Sequence, residues 1–296
     1  MNRYVISHRT RYEYEAPVVH AHHTAYLRPR DFEGQELIKS SIDCEPDPVT
    51  VTTSFDYFGN ACDELELLSA HDLLEVHATS VVDVERKAFD PKDAPATSWE
   101  KVREQLRGDP ALLREREFCF DSPLLRLHPD LESYAAPSFV PGRPFVEAII
   151  DLTRRIHTEF TYDPLVTDIT TPLASVLKHK RGVCQDFAHL AIGCVRSLGL
   201  AARYVSGYLE TNPPPDRPRL VGADASHAWA SAFLPGFGWL DFDPTNDLIP
   251  GDRHISLAWG RDFSDASPLR GVVLGGGAQR LSVAVDVQAE KPVGRS

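Results

Sequence analysis

The chain has little cysteine for its size: Cys44, Cys62, Cys119, Cys184 and Cys194 are the only thiols in 296 residues. That is too few for a disulfide scaffold, and an odd number leaves at least one thiol free unless chains are cross-linked. An excess of positive charge is also missing. Asp and Glu number 43 against 31 Lys and Arg, a formal net charge of −12. This argues against nucleic acid or a membrane as the main partner, because both are held through basic patches. Local positive clusters exist all the same, as at Arg114, Arg116, Arg154 and Arg155. No apolar run approaches the length of a membrane span, and residues 1–8 hold no apolar stretch of signal-peptide length. The expected compartment is a reducing cytoplasm.

Internal repeats and low-complexity tracts are absent as well. No loop carries the oxygen-ligand spacing of a calcium site. Gly275, Gly276 and Gly277 lack the lysine and following helix of a phosphate-cradling loop and read as a turn. His20, His22 and His23 cluster, with His71 and His77 elsewhere, but strand alternation would point adjacent side chains apart. No metal and no cofactor is expected.

What is present is a core-forming chain, 42% hydrophobic, long enough for one large or two modest domains. Residues 4–14 alternate in strand period, and residues 49–58, 65–68 and 76–84 carry β-branched and aromatic residues between turn signals. The spacing predicts an N-terminal antiparallel sheet over residues 1–92, ending at Asp90-Pro91-Lys92-Asp93-Ala94-Pro95. Thr97 and Glu100 then stand at capping-box spacing before a short helix ending near Gly108. Phe145, Ala148, Ile149, Leu152 and Ile156 recur at helical spacing. Pro172 is placed to open a further helix behind Thr171. The next helix carries Phe187, Leu190, Ala191, Cys194 and Leu198 as one stripe and stops at Gly199. Strands follow at residues 202–210, 228–234 and 239–242, with a late strand through Leu281, Val283, Val285 and Val287. Helices followed by antiparallel strands indicate an α+β fold, with a catalytic unit over residues 97–292 and its core at 145–250.

Within that unit, Gly182-Val183-Cys184-Gln185-Asp186 puts a cysteine in the first turn of a helix. Free amides and the positive end of the helix dipole favour a sulfur anion there. Asp186 is expected to brace the helix terminus, whereas Cys194, on the apolar stripe, is expected to be an inert core thiol. His227 opens a strand, and Pro235-Gly236-Phe237-Gly238 turns it into the next. A loop of that length sets His227 opposite residues 244–246, with Asp243 a close diagonal neighbour. Asp241 shares the parity of Asp243, so parity alone does not choose between them. Cysteine, histidine and aspartate in this order are the parts for thiol-based acyl transfer. Cys184 is the nucleophile, His227 the base that deprotonates it and Asp243 the acid that orients the imidazole. The Cys184 amide is a natural oxyanion donor.

These motifs, with Ala202-Arg203-Tyr204-Val205-Ser206-Gly207-Tyr208, Ser226-His227-Ala228-Trp229, Gly238-Trp239-Leu240-Asp241-Phe242-Asp243-Pro244-Thr245-Asn246, His254-Ile255 and Gly260-Arg261-Asp262-Phe263-Ser264-Asp265, resemble the bacterial transglutaminase-like proteins, relatives of papain-like cysteine proteases. The resemblance spans nearly the whole chain. It implies a papain-like/transglutaminase-like catalytic core with an N-terminal antiparallel β domain, and it places the same roles on Cys184, His227 and Asp243. Phe263 stands where the family's pattern leads us to expect tyrosine. The implied substrate is a protein or peptide amide. An acyl-enzyme attacked by an amine gives transamidation, and one attacked by water gives proteolysis or deamidation. A non-catalytic binding module that keeps the fold is the third reading, and the oligomeric state is open. Trp229 and Trp239 read equally as cleft walls or core, and residues 211–224 equally as a substrate rim or a surface insertion.

Overall fold

The computed structural model describes residues 1–164, 171–211, 220 and 226–290. The segment 211–224, read above as a rim or an insertion, lies almost wholly outside them. The N-terminal part holds strands β1 (Asn2–Ala25), β2 (Gln35–Glu45), β3 (Thr50–Phe55), β4 (Ala61–Leu67) and β5 (His71–Val84). β1 buries Tyr4, Ile6, His8 and Thr10 and turns the intervening residues to solvent, the two-residue period of a sheet with one covered face. A short turn at Pro91–Asp93 follows, its backbone held by Asp90 accepting from the Lys92 amide at 3.0 Å.

Helices α1 (Trp99–Gly108), α2 (Leu113–Arg116), α3 (Pro129–Ala135), α4 (Phe145–Glu159), α5 (Leu173–His179) and α6 (Cys184–Ser197) come next. The two-residue strands β6 (Thr161–Tyr162) and β7 (Arg181–Gly182) pair in parallel between them. The expected capping box at α1 does not form. Ser98 is the N-cap without a side-chain bond, and the Glu100 carboxylate instead accepts from the Gly142 amide at 2.8 Å. α3 is a finding, since its seven residues are too few to display a helical period in the sequence. At α5, Pro172 is the N-cap rather than the first helical residue.

Strands β8 (Ala202–Leu209), β9 (His227–Leu234), β10 (Gly238–Phe242) and β11 (His254–Gly260) form a four-stranded sheet in the order β10-β9-β8-β11. Every residue of β8 and β9 is buried. α6 packs against β8 and β9, and the N-terminal sheet meets β8 through Tyr208, whose hydroxyl lies 2.8 Å from His8 Nδ1. A strand covered on both faces needs no polar alternation, which accounts for the near-continuous small and apolar composition of β9.

The chain closes with α7 (Phe263–Ala266), β12 (Leu269–Gly275) and β13 (Gln279–Ala289). β12 pairs with the second half of β1 and β13 with the first, so the two act as one return strand broken at the positive-φ glycines Gly275, Gly276 and Gly277. The late strand expected within 97–292 therefore completes the N-terminal sheet, which is seven-stranded. One continuous hydrophobic core runs from Tyr4, Ile6, Val82 and Val84 of the sheet to Leu152, Leu190 and Phe242 of the helices and the four-stranded sheet. No helix of the described residues is long and apolar enough to cross a membrane.

Candidate active site

The start of α6 is fixed by a side chain that turns back on its own backbone. Asp186, in the first turn, accepts from the Val183 amide at 2.8 Å, the bracing role expected of it. Gly182 makes room for this: a Cβ there would lie 2.7 Å from Asp186 Oδ2. Cys184 is the first residue of the helix, and an amide at that position has no partner within the helix. Its thiol is free and only partly buried. Cys194, further along the same helix, is fully buried, and that burial pushes its thiol far up.

β9 and β10 pair with Phe242 opposite Ala230, and extending the register sets His227 across from Thr245. Asp243 is then the diagonal neighbour on the same face, and its Oδ2 stands 2.8 Å from His227 Nε2. Both side chains are fully buried. Asp241, equal in parity, turns instead to Arg86, 3.5 Å away.

The Asp243 carboxylate is saturated with donors. Oδ1 accepts from the amides of Thr245 and Asn246 at 2.9 and 3.3 Å. Oδ2 receives Asn246 Nδ2 at 2.8 Å and His254 Nε2 at 3.2 Å beside His227. Burial acts to raise the carboxyl, but the charge and hydrogen bond of His227, with those of His254, hold it well below the usual carboxylate range. Burial acts to lower His227, and the Asp243 charge and hydrogen bond outweigh it, with the Cys184 thiol adding in the same direction, so the imidazole is raised. Burial, against the pull of Asp243, leaves His254 lowered.

His227 Nδ1 is buried without an aligned hydrogen bond, although the Cys184 thiol is near enough to raise the ring. We read this as close approach without a formed bond. Trp229 is fully buried and packs on both His227 and His254, its ring 6.1 and 5.2 Å from theirs. Gly207 makes space for it, since a Cβ there would meet Trp229 Cη2 at 2.4 Å. Trp239 lies elsewhere, against Phe118 and Phe233.

His254 and Asn246 belong to this site, although the sequence motifs that contain them assign them no role. The available signal was the density of polar side chains in a segment otherwise set for packing. Among the described residues, His227, Asp243 and His254 are the one group of potential metal ligands that converge. Their spacing is that of the hydrogen bonds already given. The N-terminal histidines diverge: His20 and His22 face Glu66 and Glu64 across the sheet, and His23 stacks on Tyr12. Phe263 packs edge-on against Tyr204 at 6.2 Å, and its amide donates to His189 Nε2 at 3.1 Å, so the C-terminal segment is tied through the backbone rather than through a hydroxyl.

Residues 4–83 match the bacterial transglutaminase-like N-terminal region, and residues 136–244 match the transglutaminase-like superfamily. An uncharacterized protein of Mycobacterium tuberculosis is 40% identical over 297 residues, covering 97% of this chain and 92% of that protein. A protein-glutamine gamma-glutamyltransferase of Pseudomonas aeruginosa is 27% identical over 129 residues, 37% of this chain and 19% of that protein. A candidate cysteine protease from Cytophaga hutchinsonii has a similar structure, with a TM-score of 0.76 and 23% identity, over 98% of this chain and 91% of that one. The chain belongs to the bacterial transglutaminase-like family and carries a cysteine-based catalytic domain of the transglutaminase-like, papain-like fold.

Proposed function

We propose that the protein transfers or hydrolyses acyl groups of peptide or isopeptide amides through Cys184, His227 and Asp243, with glutamine side-chain amides as the favoured acyl donors. The observation that carries this reading is the division of labour on His227. Nε2 is engaged by a buried carboxylate at 2.8 Å, Nδ1 is left without a bonded partner, and the Cys184 thiol acts to raise the imidazole. The partial likeness to a protein-glutamine gamma-glutamyltransferase supports the choice of donor.

In this mechanism His227 takes the Cys184 proton and the sulfur attacks the amide carbon. The carbonyl electrons move onto oxygen, where the Cys184 amide stabilises them. As the C–N bond breaks, His227 returns the proton to the leaving nitrogen, which departs as ammonia or an amine, and a thioester remains. A second nucleophile, amine or water, loses its proton to His227, attacks the thioester and displaces the sulfur, which takes the proton back. Asp243 keeps its proton-free form throughout and compensates the imidazolium.

The test is incubation with glutamine-containing peptides, with and without a primary amine, read by mass spectrometry beside a Cys184→Ala control. An amine adduct that depends on Cys184 supports transamidation. Cleavage or deamidation unaffected by the amine supports hydrolysis. Equal product from the control overturns the assignment.

A further inference from the structure

Where the N-terminal sheet meets the catalytic sheet, buried positive charge exceeds its partners. Arg203, on β8, is only 9% exposed. Its guanidinium lies 4.3 Å from the centre of the Trp239 ring and 3.9 Å from that of Trp259. Arg30 covers Trp259 at 3.5 Å. Arg86 donates to Ser256 Oγ at 2.9 Å and takes up the nearby Asp241 at 3.5 Å. Arg203 has its Nε buried and unbonded, and no described residue accepts a hydrogen bond from it or forms an ion pair with it. Burial pushes its pKa down, relieved by the more distant charge of Asp241 and worsened by Arg30.

A guanidinium removed from water without a bonded anion is costly, and stacking on indole returns only part of that cost. The group borders a cavity of about 330 Å³ whose wall includes Arg86, Asp241, Phe32, Trp239 and Trp259. Asp241 is already committed to Arg86. A planar oxyanion would meet the free N–H groups of Arg203 as a two-pronged acceptor, and the aromatic wall suits an apolar body rather than a hydrated inorganic ion.

We propose that this cavity is a binding site for a small organic carboxylate, its head group held by Arg203 with Arg86 beside it and its apolar body against Phe32 and Trp239. Cys184, His227 and Asp243 are not among the residues that line it. A purely structural role, with Arg203 only stacking on Trp239 and Trp259 of its own sheet, would leave no affinity for such a ligand.

The test titrates the full chain with benzoate and, separately, with inorganic phosphate at fixed ionic strength against a chloride control. Tryptophan fluorescence and the thermal midpoint are followed together. Saturable benzoate binding at one site per chain, with a raised midpoint, is expected. Arg203→Met and Arg86→Gln should each weaken it about ten-fold or more, and the second variant serves if the first does not fold. Absence of a saturable response in the wild type, tighter binding of phosphate than of benzoate, or unchanged benzoate affinity in Arg86→Gln would overturn the proposal.

Discussion

His227 and Asp243 face each other at 2.8 Å with both side chains sealed from solvent. The pair makes stability depend on pH in a defined window. Asp243 is held below the ordinary carboxylate range, so its contribution is complete above about pH 4 and is lost as the pH falls through its lowered folded value. His227 is raised, so its contribution is complete below about pH 6.5 and is lost as the pH rises through its raised folded value. The stability gap between wild type and Asp243→Asn should therefore be widest between about pH 4 and 6.5 and should narrow on either side. Thermal unfolding of both proteins across the pH range checks this, and a gap independent of pH contradicts it.

Cys184→Ala should cut turnover by at least about a thousand-fold. The thiol is partly exposed and forms no disulfide, so the thermal midpoint should move little. A variant that loses activity only because it unfolds would reveal itself in circular dichroism.

Gly182→Ala should reach the site through the backbone. The new Cβ would lie 2.7 Å from Asp186 Oδ2 and 2.8 Å from Asp186 Cβ, so it must push Asp186 off the Val183 amide. We expect a loss of about 1–3 kcal/mol in urea unfolding, together with a drop in turnover as the first turn of α6 shifts. Full stability with full activity would show that Asp186 is not needed to set that turn.

Arg196 is a structural counterpart to the site. Fully buried, it donates to the carbonyls of Ala202, Phe120 and Arg261 at 3.0 Å or less. These lie in the Phe120 segment, at the start of β8 and just after β11. Arg196→Met removes the charge but leaves those carbonyls unpaired, and should cost at least about 3 kcal/mol, read by denaturant unfolding.

The residues proposed as reactive groups were legible because each sits where the chain's punctuation is strongest: Cys184 behind a glycine at a helix start, His227 at the head of a strand, Asp243 before Pro244. The hairpin length also set His227 against residues 244–246, a range that the strand register narrows to Thr245. What stayed hidden depends on contacts between distant segments. Parity could not separate Asp241 from Asp243, because the difference is made by Arg86, about 155 residues upstream. His254 joins the site only once β11 has folded beside β8. The return of β12 and β13 to the N-terminal sheet is likewise invisible in their own alternation, which marks a strand but not its partner. The capping pattern at Thr97 failed for the same reason, since a nearby backbone amide at Gly142 competes for Glu100.

The most direct measurement is the intact mass of the protein after brief incubation with a glutamine-containing peptide and acid quench. The account predicts a mass increase equal to the peptide less ammonia, mapped to Cys184, discharged by added primary amine and absent from Cys184→Ala. A peptide adduct on a different residue, or product formation undiminished in Cys184→Ala, would contradict it.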